Sequence, residues 1–133
     1  MTTDSSNATQ CVYGSLDEYV SLPDVSEFLL SFNLPSEPVS VQSGHDLTTP
    51  CYGNRSCIEA NADVQYISAM APHAKTTYWY VDTYKEGSKA LQFLIELLEL
   101  TEPPMVSSIS YGVVEQVNIL HMIIQLIYFH AYN

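Results

Sequence analysis

Basic residues are scarce in this chain. Arg55, Lys75, Lys85 and Lys89 are the only four, against 15 Asp and Glu, for a formal net charge of −11. Binding a nucleic-acid backbone draws on clustered Lys and Arg that displace counterions. Four scattered cations form no such cluster, so nucleic acid is excluded as a partner. Glycine is also sparse, five in 133 residues, and none falls into the patterns of a phosphate-cradling or dinucleotide-binding loop. No apolar run reaches the roughly 20 residues of a membrane span; the longest, Ile119 to Tyr132, is interrupted by His121, Gln125 and His130. His45 and His73 fall in loop sequence and the other two in that run, without the spacing of a metal site. The polar start, MTTDSSNATQ, has neither the charged nor the apolar region of a signal peptide.

What is present fits one modest α/β domain. The chain is 47% hydrophobic, which argues against disorder throughout, and its length suffices for one core. Residues 1–9 read as a disordered start. QCVYG (10–14) reads as a strand. Pro23 and Asp24 open a helix with Val25, Phe28, Leu29 and Phe32 on one side. EPVSVQ (37–42) alternates as a strand, and 43–56 is loop. A helix follows, ending near Pro72, and KTTYWYVD (75–82) has the aromatic and β-branched content of a strand. The segment 86–100 is a strong helix whose apolar face runs through Ala90, Leu91, Leu94, Ile95, Leu97 and Leu98. Pro103 and Pro104 stop it, and MVSSISYG (105–112) is a further strand. Strands alternating with helices predict a parallel sheet covered on both faces, with the working site beyond the carboxyl ends of the strands. Two readings stay open for the apolar segment 117–133: a core helix, or intron or shifted-frame translation joined to a real domain.

Cys51 and Cys57 bracket CYGNRSC and can close a local disulfide, leaving Cys11 over; this suits a secreted or lumenal protein. Two sequons, Asn7-Ala8-Thr9 and Asn54-Arg55-Ser56, point the same way. The acidic balance itself suits low pH, where part of the charge is neutralised.

The helix IEANADVQYISAM sets Glu59 and Asp63 four residues apart, on one face and one turn from each other. Such acid pairs are usually an ordinary solvated face. Here the context is more specific. Glu-x-x-x-Asp-Val-Gln-Tyr at 59–66 is followed, after a strand and a helix of suitable length, by Ser-Ile-Ser-Tyr-Gly at 108–112. In that order and register the two motifs resemble the sedolisin family of serine-carboxyl peptidases. The resemblance is close over 57–112, fainter back to about residue 7, and stops near Glu115; position 62 is Ala where the family usually has Leu.

The resemblance implies a partial subtilisin-like fold, with residues 10–116 as the truncated catalytic domain. It implies that Glu59 is a general base, that Asp63 orients it, and that Ser110, Tyr111 and Gly112 pair with the backbone of a peptide or protein substrate. A carboxylate base works at acid pH, where a histidine would be protonated. The family's Gly-Thr-Ser nucleophile motif and its Ser-Gly-Asp oxyanion motif are both absent from these 133 residues, as is its calcium site. The expectation is therefore a fragment of an acid-acting serine-type peptidase, inactive as written, with no cofactor of its own and a secreted or lysosomal location. The alternatives are a non-catalytic peptide-binding or decoy module, and a small acidic α/β interaction protein for which the two motifs are coincidence.

Overall fold

The computed structural model describes residues 7–35, 37–53, 55–82 and 89–112. The segment 117–133, Asn54 and the first part of the expected helix 86–100 lie outside these residues. The elements run β1 (Thr9–Gly14), β2 (Val20–Ser21), α1 (Leu22–Ser31), β3 (Ser40–Gln42), β4 (Asp46–Leu47), a 3₁₀ turn (Arg55–Cys57), α2 (Ile58–Met70), β5 (Lys75–Tyr80), α3 (Lys89–Leu98) and β6 (Val106–Ser108).

The main sheet has the order β3-β5-β1-β6, and every pair in it is parallel. β1 and β5 are the interior strands, in a register that sets Val12 beside Tyr78 and Gly14 beside Tyr80. Alternation along these strands sends side chains to opposite faces. Val12, Tyr78 and Tyr80 pack with Val20, Val25, Leu29, Ala60 and Val64 under α1 and α2. Cys11, Tyr13, Trp79 and Val81 pack with Phe93 of α3. Both faces are thus covered, which is why Cys11–Tyr13 of β1 and Tyr78–Tyr80 of β5 are buried whichever face a side chain takes. This α/β layout, a four-stranded parallel sheet with helices on both faces, is consistent with the partial subtilisin-like fold that the resemblance implies. Gly14 is required by close approach: a Cβ there would run into the ring and hydroxyl of Tyr78.

Local chemistry sets the helix starts. Ser21 caps α1, its hydroxyl accepting from the Asp24 amide at 3.3 Å, and Pro23 stands in the first turn, where no intrahelical donor is lost. A Cys51–Cys57 disulfide closes the loop leading into α2, as the spacing of the two cysteines allowed. Cys11 is free and buried.

Several boundaries differ from the sequence reading. The strand expected at 37–42 is ordered as such only from Ser40, and the one at 105–112 is three residues long. β2 and β4 form a two-residue parallel pair, too short for any periodicity to mark; β4 falls in the 43–56 segment read as loop and β2 in a stretch given no element. α3 buries Phe93, while Leu94 and Leu98 are exposed. Its apolar residues spread around most of the helix, and the sheet takes the large ring. In α1, Val25 and Leu29 are buried but Phe32, at the C-cap, is exposed. No described helix is long and apolar enough to cross a membrane.

Candidate active site

The site lies where β1 and β6 end and α2 begins. After Gly14 the chain makes a tight turn with Leu16 and Asp17 both at φ 60°, a region that non-glycine residues enter at a cost. The turn delivers Glu18 to the first turn of α2. That helix begins at Cys57 with no side-chain cap of its own. Instead, the backbone amides of Ala60 and Glu59 hydrogen-bond to the Glu18 carboxyl. These are orphan donors of a helix N-terminus, where a carboxylate is favoured. The second Glu18 oxygen, Oε2, is buried and has no hydrogen-bond partner among the described residues.

Burial pushes the Glu18 carboxyl up from its ordinary value; the Ala60 amide partly offsets this, and the negative charge of Glu59 adds to it. The backbone carbonyl of Glu18 accepts from the Tyr78 hydroxyl at 2.8 Å. The Tyr78 hydroxyl is itself pushed well above the usual phenol value, by burial first and then by the surrounding Tyr111 and Glu18.

The Glu59 side chain, in the first turn of α2, is exposed, and Asp63, one turn on, is half-buried. The side chain that reaches Asp63 is Ser110, whose hydroxyl donates to Oδ2 at 2.5 Å. Its neighbour Tyr111 turns the other way. The Tyr111 hydroxyl donates to the Ser15 carbonyl at 3.1 Å and accepts from the Ser15 amide at 3.3 Å. Its ring stands edge-on to Tyr13, with centroids 5.2 Å apart. Burial pushes the Tyr111 hydroxyl up to about 12; the Ser15 backbone opposes this, and the charges of Glu18 and Glu59 reinforce it. Gly112 is exposed with open space around it.

Of the five residues singled out in the sequence, Asp63 and Ser110 are brought into direct contact. Glu59 lies one turn away on the same helix. Tyr111 is tied to the end of β1, and Gly112 is exposed. Glu18 and Ser15 escaped the sequence reading. Glu18 stands in LDEY, an unremarked acidic loop, and its role as a helix cap depends on a neighbour about 40 residues on. Among the described residues no three His, Cys, Asp or Glu side chains gather as a metal site requires. His45 is engaged elsewhere, stacked between Tyr19 at 4.6 Å and Tyr80 at 3.4 Å, with Asp17 at 3.9 Å from its Nε2.

No family model matches the chain, and no solved structure matches it. It is similar to tripeptidyl-peptidase 1 of Dictyostelium discoideum, with 36% identity over 107 residues. The match takes in 78% of this chain and 17% of that protein, so the chain spans about a sixth of the length of the curated relative it matches.

Proposed function

We propose that residues 10–116 are the first part of the catalytic domain of a sedolisin-type serine-carboxyl peptidase that cleaves peptides at acid pH. In this reading Glu59 is the general base that takes the proton of a serine hydroxyl, and Asp63 holds Glu59 in position. The segment Ser110–Gly112, leaving the edge strand β6, pairs with the extended substrate backbone. The observation that carries the reading is the junction of the two motifs. Residues 47 apart in sequence, Asp63 and Ser110, meet at the carboxyl end of a parallel sheet, where α/β folds place their working sites. The similarity to a tripeptidyl-peptidase supports the substrate class. The Cys51–Cys57 disulfide supports an oxidising compartment, secreted or lysosomal.

The Gly-Thr-Ser and Ser-Gly-Asp motifs that would supply the serine nucleophile and the oxyanion donor are not among these 133 residues. Acyl transfer needs both, so in this reading the 133 residues alone are expected to hydrolyse nothing, and any calcium would be held by the remainder of the enzyme. Joined to a nucleophile-bearing remainder, the chain should turn over peptides at acid pH. Glu59→Gln should then lower kcat/KM by about a hundredfold or more, measured on a fluorogenic tripeptide. Unchanged turnover in Glu59→Gln would overturn the proposal. A second reading, a non-catalytic peptide-binding module, is favoured by one feature: β6 is an edge of the sheet with exposed residues leading out of it. It predicts peptide affinity in the 133-residue chain itself, read by isothermal titration.

A further inference from the structure

In the proposed function Ser110 contributes backbone to a substrate-pairing strand. Its side chain has a separate use. The hydroxyl lies 2.5 Å from Asp63 Oδ2, within the range of an O–H···O hydrogen bond. Tyr111, the next residue, is anchored in the other direction through two hydrogen bonds to Ser15. Its ring is held against Tyr13, which is buried. Two adjacent side chains thus brace the same stretch of backbone between α2 and the end of β1. Ser110 has no freedom to drift while Tyr111 is seated, so its hydroxyl is presented to Asp63 from a fixed point.

We infer that Ser110 is a positioning residue for Asp63: its hydroxyl occupies Oδ2, fixes the carboxylate plane, and leaves Oδ1 as the oxygen directed to Glu59. The inference rests on the reading of Glu59 and Asp63 as a catalytic pair, and it adds a consequence. The strand that receives substrate and the acid that orients the base are joined by one hydrogen bond, so a shift of the strand end is felt at the acid pair. A group that holds an orienting carboxylate acts on turnover more than on substrate affinity.

The test reads the contact and its effect separately. Carboxyl footprinting of the 133-residue chain, with carbodiimide and an amine followed by peptide mass spectrometry, reports how well each carboxylate is protected. Ser110→Ala should raise modification at Asp63 about threefold, the size of one modest hydrogen bond. Ser110→Thr should restore protection, and the exposed Glu27 serves as the unchanged reference. Ser110 is exposed, so alanine should leave the fold intact, as circular dichroism would verify; Ser110→Cys, which keeps the size but weakens the donor, makes the same comparison if it does not. In a chain completed with its nucleophile, Ser110→Ala should lower kcat about tenfold with KM held, and Ser110→Thr should recover most of it. If Glu59→Gln abolishes turnover while Ser110→Ala changes neither footprint nor kcat, the inference falls and the peptidase reading stands. If Glu59→Gln leaves turnover intact, the peptidase reading falls and takes the positioning role with it.

Discussion

The two faces of the sheet are held by different means. Under α1 and α2 the apolar contacts are stitched together by polar ones. Asp24 Oδ2 accepts from the Cys51 amide and from Asn61 Nδ2, both at 3.0 Å, while Asn61 Oδ1 accepts from the Ser21 amide at 2.7 Å. Gln65 reaches the Asp24 carbonyl at 3.3 Å. The opposite face depends on one buried ring of α3, Phe93, set against Tyr13 and Trp79, with centroids 5.0 and 5.6 Å away. Among the described residues, α3 is also tied to the sheet by a polar bond from Trp79 Nε1 to Glu96 at 2.9 Å. Hydrophobic burial is non-directional, whereas hydrogen bonds fix orientation. The helix that carries the proposed acid pair, α2, is on the polar-stitched face. The helix that only has to cover the sheet is on the other.

That contrast can be broken from either side. Phe93→Ala removes the ring that anchors α3 and should cost about 4 kcal/mol, read as a lowered denaturant midpoint. Loss of the Trp79 near-ultraviolet signal should accompany it. Asp24→Ala leaves the Cys51 amide and the Asn61 side chain without their acceptor and should cost about 2 kcal/mol. Its diagnostic effect is loosening of α2, seen as faster amide exchange there than in β1.

The smallest effect is pH-dependent. Glu18 binds its proton more tightly folded than unfolded, because burial raises it above its ordinary value of 4.5. The stability this gives is fully present below about 4.5 and is lost as pH rises through the folded value. Glu18→Gln keeps an oxygen for the amides at the start of α2 but does not titrate. The stability difference between Glu18→Gln and the parent chain should therefore grow in favour of the variant as pH rises from 4 toward 7, approximately. Parallel curves across that range would mean that Glu18 is no different in the fold.

The same division explains what could be read in advance. The parallel sheet, α2 and its acid pair were legible, because periodicity and strand composition are local signals. The Cys51–Cys57 link was legible as a possibility from its short spacing. The cap on α2 was not, since Glu18 arrives from another segment and resembles any loop acid. The buried side of α3 was misjudged because leucines surround the helix and only the sheet decides that Phe93 goes inward. The side-chain role of Ser110 was hidden too. A motif gives the order of residues along the strand, but whether Ser110 turns to Asp63 or to solvent depends on where Tyr111 is anchored.

The central claim is that Glu59 and Asp63 act as one unit at the carboxyl end of the sheet. The most direct measurement is kcat/KM at acid pH for Glu59→Gln, Asp63→Asn and the double variant, in a chain completed with its nucleophile. A coupled pair predicts that the double variant loses no more than the worse single one. Losses that multiply, or an Asp63→Asn variant that turns over like the parent, would contradict it.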